Sequence, residues 1–107
     1  IRAKVLYLND SSIYIYKFNK AEFKNIKKIN KIKILKFNDT TLNKIPIEIL
    51  QFKNLKRLTI NCIRYKNIDV LKKLNTLEDL EIILDSQLPI EIFYLENINL
   101  VLLKKFY

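Results

Sequence analysis

Apolar side chains recur along this chain in sets of four, spaced by three, three and two residues. The first residues of successive sets lie 23, 22 and 21 positions apart. A helix favours spacings of three and four, and a strand a spacing of two, so the pattern predicts a turning segment that runs into a short strand. The sets are Ile29-Ile32-Leu35-Phe37, Phe52-Leu55-Leu58-Ile60, Leu74-Leu77-Leu80-Ile82 and Leu95-Ile98-Val101-Leu103.

An earlier copy of the strand is present near the start of the chain. Residues 4–10 match residues 33–39, and both stretches are followed by two hydroxyl residues. This first unit carries extra residues, within which Ile13-Tyr14-Ile15-Tyr16 is typical of a small additional strand. We therefore expect one domain over residues 1–107, made of about five units with a long first and a truncated last one. Because the chain begins at Ile1 without Met, we expect it to be a fragment of a longer protein.

One such unit cannot bury its apolar edge alone, whereas stacked units bury a continuous core. Stacking pairs the strands in parallel, about 4.8 Å apart. In the stretch Leu55–Ile60, alternation points Leu58 and Ile60 inward and Arg57 and Thr59 outward. Asn and Asp follow the first strands and tolerate tight turns in a chain that contains no Gly.

The segment Leu42–Leu58 resembles the repeat L-x-x-L-P-x-E-I-x-x-L-x-N-L-x-x-L of intracellular leucine-rich repeat proteins. Leu88-Pro89-Ile90-Glu91-Ile92 repeats its central part. The resemblance implies an α/β solenoid: a right-handed superhelix with a parallel sheet on its concave face and irregular or 3₁₀ segments on its convex face. It also implies protein binding on the concave face and a cytoplasmic location, although a signal peptide upstream of the fragment stays open. The family's turn Asn is replaced by Ser11, Thr40 and Ile63, which predicts irregular turns.

The composition excludes several kinds of chemistry. Without Gly the chain has no phosphate-binding glycine loop, and without His it has no Ser-His-Asp system. The lone Cys62 forms no internal disulfide, and no apolar run approaches a membrane span. Glu78, Asp79, Glu81 and Asp85 form a carboxylate cluster without a pocket-forming loop. We therefore expect no catalysis, cofactor or metal site.

The candidate partner-binding residues are the outward positions of the strands. They are Tyr7, Ile34, Lys36, Arg57, Thr59, Asp79 and Glu81. Exposed apolar side chains commonly mark interaction sites, and Val5 and Ile34 are expected side by side next to Tyr7. For the charged members an alternative stays open, in which Lys56 and Arg57 pair with Glu78 and Asp79 on the adjacent strand.

The register of the last strand has two interpretations. In the first, Val101 and Leu103 point inward, and Leu100 and Leu102 form an exposed patch. In the second, the strand is shifted by one position and Leu100 and Leu102 point inward. Because a shift by one residue moves every side chain to the other face, pairing must decide between them.

The charge of the chain is unevenly distributed. Residues 1–73 carry 18 basic and 5 acidic side chains, net +13, whereas residues 74–107 carry 2 and 6, net −4. The lysines of residues 17–33 offer an alternative function, electrostatic binding of nucleic acid or of an acidic membrane surface. Ile26, Ile29 and Ile32 interleave with them at core spacing, which favours a solvated face. We therefore expect an unidentified protein partner rather than nucleic acid, and the sequence does not indicate an oligomeric state.

Overall fold

The computed structural model describes residues 5–61, 67–84 and 99–104. The described chain is an α/β unit built on a six-stranded sheet whose strand order is the order of the chain. Its first pair is antiparallel and every later pair is parallel. The strands are β1 Val5–Asn9, β2 Ser12–Ile15, β3 Ile34–Phe37, β4 Arg57–Asn61, β5 Asp79–Leu84 and β6 Asn99–Lys104.

The connections between parallel strands contain short helical segments. The first holds the α-helix α1 Lys20–Phe23 and a 3₁₀ segment Ile29–Lys31, and the next two hold 3₁₀ segments Ile47–Gln51 and Ile68–Lys73. Asn19 begins α1, because its Oδ1 accepts hydrogen bonds from Ala21 N at 2.9 Å and Glu22 N at 3.2 Å. The 3₁₀ geometry agrees with the expected character of these connections.

The central strands pair as the spacing predicts. Leu35 lies opposite Leu58, and Leu58 lies opposite Leu80. All three side chains are at most 1% exposed. Just before each strand, one carbonyl holds the next strand in place: Lys33 O accepts from Lys56 N at 2.7 Å and Arg57 N at 2.9 Å, and Lys56 O accepts from Glu78 N and Asp79 N.

The core lies between one face of the sheet and the connecting segments. Each fully buried Leu, Ile or Phe contributes about 1.5–3 kcal/mol of transfer free energy. Phe23 bridges two connections, since its ring meets that of Phe52 edge to face with centroids 5.5 Å apart. The core side chains are Ile13, Ile15, Phe23, Ile32, Leu35, Phe37, Ile45, Ile49, Phe52, Leu55, Leu58, Ile60, Leu71, Leu74, Leu77, Leu80 and Ile82.

The predicted place of the first strand is wrong. The strand within residues 4–10 was expected beside β3, but the strand that pairs in parallel with β3 is β2, with Ile13 opposite Leu35. β1 instead folds back on β2 as a hairpin through a two-residue turn, closed by Asn9 Oδ1, which accepts from Ser11 N at 2.9 Å. A connection this short permits only antiparallel pairing.

The first interpretation of the last strand is also wrong. Leu100 pairs with Leu80 and Leu102 with Ile82, so the backbone register is that of the second interpretation. Val101 takes the position opposite Glu81 instead. Several predictions fall outside the described residues: those for Cys62, Ile63, Asp85, Leu88–Ile92, Leu95 and Ile98.

Candidate binding face

The sheet face opposite the core, here called the open face, carries two rows of aligned side chains. Parallel pairing without a register shift places each outward residue beside its counterpart on the next strand. The upper row is Ile34, Arg57, Asp79 and Asn99, and the lower row is Tyr14, Lys36, Thr59 and Glu81. Six of the seven predicted residues therefore lie together on this face: Ile34, Lys36, Arg57, Thr59, Asp79 and Glu81.

Tyr7 is the exception, and its predicted place is wrong. It lies on β1 opposite Ile13, a buried residue, so it belongs to the core side of the sheet. Its hydroxyl oxygen accepts a hydrogen bond from Lys27 N at 3.0 Å. Val5 and Ile34 are likewise not neighbours, because β2 lies between their strands. The β1–β2 hairpin explains both errors, because it puts β2 beside β3 and sets the face of Tyr7 through its pairing with Ile13.

The charges of the upper row are paired across strands. Arg57 Nε lies 3.2 Å from Asp79 Oδ2, and Asn99 Nδ2 donates to Asp79 Oδ1 at 3.1 Å. At the entrance of the same strands, Lys56 Nζ lies 3.2 Å from Glu78 Oε2. Pairing, the alternative left open by the sequence, is confirmed. Such exposed pairs contribute about 0.2–1 kcal/mol each, so they tune register more than stability.

The charges of the lower row are not paired with each other. Lys36 and Glu81 stand on β3 and β5 with Thr59 between them, so their backbones are about 9.6 Å apart at the usual strand spacing. Neither side chain makes an ion pair or hydrogen bond to another described residue. The row therefore holds two opposite, separated charges that are available to a ligand.

A groove of about 340 Å³ runs along the lower row. Besides predicted candidates, its lining includes Tyr14, Asn38, Asn61 and Ile83. The sequence also aligns Asn38, Asn61 and Ile83 in an outward column of the repeats, but they were not chosen as candidates. The alternation at residues 13–16 predicts a strand that contains Tyr14. That strand was expected to be a small addition to the first unit, whereas in the structure it is the neighbour of β3. Because Lys36 and Glu81 also line the groove, it can receive an extended segment that meets both charges.

Within residues 5–61, 67–84 and 99–104, other groups with possible chemistry do not assemble into a site. Among the described residues, no cluster of three or more Cys, Asp or Glu side chains is arranged to hold a metal ion. Glu78 and Asp79 of the predicted carboxylate cluster are engaged in the ion pairs described above. The open face itself offers charged, amide, hydroxyl and aromatic side chains.

Comparison with known proteins gives no relative. No family model, curated protein or solved structure matches the chain. Across residues 5–61, 67–84 and 99–104, the structure contains no helix with the length and apolar character needed to cross a membrane.

Proposed function

We propose that this chain is a leucine-rich-repeat-type solenoid that binds a protein partner on its open face and performs no catalysis of its own. The parallel strands in chain order and the 3₁₀ connections support this architecture. So does burial of the apolar positions in the motif at residues 42–58, where Ile45, Ile49 and Leu55 are at most 2% exposed. In this proposal the open face is the concave face of the solenoid.

The functional proposal rests on one observation, the charges of Lys36 and Glu81 in the lower row, which are unpaired among the described residues. An isolated opposite-charge pair two strands apart, with Thr59 between its members, is not needed to hold the sheet together. It suits a partner segment that presents a basic group to Glu81 and an acidic group to Lys36, because complementary charge orients and selects partners. Tyr14 adds an aromatic side chain, a residue type that often anchors protein interfaces.

A charge-reversal pair tests this function without changing net charge. Lys36→Glu with Glu81→Lys should reduce retention of a specific protein partner on immobilised chain by about tenfold or more, as expected for reversed charges in an interface. The matched control is Lys53→Glu with Asp69→Lys, which reverses exposed charges on the connecting segments. Quantitative mass spectrometry of proteins captured at physiological salt gives the measurement.

The outcomes are distinct. Loss from the Lys36/Glu81 variant alone supports the open face as the binding site. Equal retention by wild type and both variants contradicts it. If retention collapses between low and moderate salt and follows added nucleic acid, the electrostatic alternative is the better account, because phosphate binding is steeply salt-dependent.

A further inference from the structure

The outer edge of the sheet exposes an unusual run of apolar side chains. Among the described residues, four large hydrophobic side chains are strongly exposed: Leu6, Tyr7, Leu8 and Ile47. Three of them are consecutive on β1, at 45%, 51% and 51% exposure. Because neighbouring strand residues point to opposite faces, Leu6, opposite Tyr14, lies on the open side and Tyr7 on the core side, so exposed apolar side chains flank the edge on both faces. Exposed apolar surface of this kind marks interaction sites, whereas a single exposed Ile47 needs no explanation.

The same strand has one backbone edge that pairs with no strand in the described part of the chain. β1 pairs with β2 on one side only, and no other described strand lies beside it. Natural edge strands are usually blunted by charge, by proline or by a bulge. The stretch Val5–Asn9 contains neither charge nor proline, and its one irregularity is a register shift between Tyr7 and Asn9. Backbone groups and apolar side chains are thus both available at one edge.

The surroundings of this edge are strongly basic. Residues 17–33, which connect β2 to β3, contain seven lysines and one glutamate, a net charge of +6. Lys27 and Lys28 line a groove of about 520 Å³ together with Tyr7, Asn9 and one acidic residue, Asp10, and the Tyr7 hydroxyl accepts a hydrogen bond from Lys27 N. A chain that pairs with β1 therefore approaches a positive field.

We propose that β1 receives an extended acidic segment of a partner protein as an additional strand. Strand addition satisfies the bare backbone groups and covers Leu6 and Leu8 in one step. A second copy of this chain would bring the same lysines against themselves. A lipid surface would leave the backbone of the edge without hydrogen-bond partners in an apolar phase. The site lies at the sheet edge and borders the open face at Tyr14, which is opposite Leu6, but it does not depend on the function proposed for that face.

A model peptide tests the proposal directly. The probe is acetylated, amidated Glu-Val-Thr-Val-Glu-Val-Thr-Val, compared with the same peptide carrying Lys for Glu and with one carrying a central Pro. At about 1 mM, the weak end of the affinity range, the acidic peptide should shift the NMR signals of β1 amides and slow their hydrogen exchange. The Lys peptide should bind several-fold more weakly, and the Pro peptide should cause no slowing.

Two variants localise the effect. Leu6→Ser with Leu8→Ser removes exposed apolar side chains of β1, and Lys27→Glu with Lys28→Glu reverses two positive charges. Each double variant should bind the acidic peptide about fivefold or more weakly, as expected for loss of complementary contacts. The matched controls are Ile47→Ser and Lys53→Glu, which should bind as wild type does. Unchanged exchange of the core amides of Leu35 and Leu58 shows that each variant is folded.

Each remaining outcome overturns the proposal. If the β1 amides do not respond, or if the acidic and basic peptides bind equally, an acidic segment is not the ligand of β1. Protection of β1 that grows with protein concentration alone identifies a second copy instead. Stronger binding to phosphatidylserine–phosphatidylcholine vesicles than to the peptide, lost on Leu6→Ser with Leu8→Ser, identifies a lipid surface.

Discussion

Asp39 is a buried carboxylate that accepts hydrogen bonds from two separate segments of the chain. It is 3% exposed, and it accepts from Phe18 N at 2.8 Å, from Thr41 N at 3.0 Å and from the Thr41 hydroxyl. Burial raises the pKa of Asp39, but the hydrogen bonds from Thr41 and Phe18 and the Lys17 charge outweigh it and hold the pKa below its ordinary value of 3.8. The ionised side chain therefore ties the start of the first connection to the turn after β3.

Asp39→Asn should lower the free energy of unfolding at neutral pH by about 1.5–3 kcal/mol, the range for hydrogen bonds to charged groups. The pKa is lower in the folded than in the unfolded state, so this stability is complete above the unfolded value and is lost as pH falls through the folded value. Urea unfolding from neutral to acid pH gives the measurement. A difference between wild type and Asp39→Asn that stays constant into strong acid would contradict this assignment.

A chain of amides crosses the sheet at the ends of β3 and β4. Asn61 Nδ2 donates to Asn38 Oδ1 at 2.8 Å, and Asn38 Nδ2 donates to the Tyr14 hydroxyl at 3.0 Å. This row of hydrogen bonds ends at β5, because Ile83, which lies opposite Asn61, has no polar side-chain group. Asn61 Oδ1 is consequently buried without a hydrogen-bond partner among the described residues. An unsatisfied buried acceptor of this kind costs about 1–3 kcal/mol.

An amide at position 83 should satisfy that acceptor. We expect Ile83→Asn to be about 1 kcal/mol more stable than Ile83→Ala, the usual net value of one hydrogen bond. In an Asn61→Ala background the advantage of Asn over Ala should vanish, as in a double-mutant cycle. Chemical denaturation of the four variants measures the difference. An advantage that persists in the Asn61→Ala background would assign it to packing instead.

At the scale of elements, adjacent residues of β4 lie on opposite faces of the sheet, because side chains alternate along a strand. Leu58 is 1% exposed and lies between Leu35 and Leu80, whereas Thr59 faces the groove on the open side. Burial of an unpaired charge between these leucines has no compensating partner, and its cost rivals the whole stability of a small domain. The strand should therefore tolerate a charge at one position and not at the next.

Leu58→Asp should abolish cooperative folding, whereas Thr59→Asp should fold as wild type does. Circular dichroism and thermal unfolding distinguish the two variants. Because they place the same charge one residue apart, general effects of added acidity cancel in the comparison. A folded Leu58→Asp variant, or equal damage at both positions, would show that β4 lies in the other register.

At the scale of the whole molecule, the charge is unbalanced. The chain carries a net charge of +9, and residues 1–73 carry 18 basic and 5 acidic side chains. Excess charge of one sign destabilises a compact state through self-repulsion, and salt screens it. The exposed ion pairs Lys56–Glu78 and Arg57–Asp79 oppose this trend only weakly.

We therefore expect the free energy of unfolding to rise when sodium chloride is increased from low to physiological concentration. Urea unfolding at fixed pH across this range measures it. Lys27→Glu with Lys28→Glu should flatten the dependence because it lowers the net charge. A stability that falls with salt would show that favourable ion pairs outweigh self-repulsion.

The central part of the fold was predictable because its signal is local. Spacings of three, three and two mark β3, β4 and β5, and burial of one face leaves a single register for Leu35, Leu58 and Leu80. The outward positions of these strands, and hence most of the candidate site, follow from the same alternation. Pairing of Arg57 with Asp79 was foreseen as an alternative, since opposite charges stood at matching positions.

The two ends of the sheet were not predictable from the same signal. Alternation of apolar and polar residues reads the same in either strand direction, so the match of residues 4–10 to residues 33–39 did not reveal that β1 runs against β2. In β6, Leu100-Val101-Leu102-Leu103 is apolar throughout and fits either register equally well. Long-range pairing decided both cases.

The sequence by itself determined which segments extend, which side chains enter the core and where charge concentrates, because these depend on local spacing and composition. Only the tertiary structure decided which strand lies beside β3, which register β6 adopts and which charges remain unpaired. These depend on a two-residue turn and on contacts between residues some 20 positions apart, such as Asn61 and Asn38. The direction of a strand and the identity of its neighbours are set when the sheet assembles, because the alternation of side chains within one strand does not encode them.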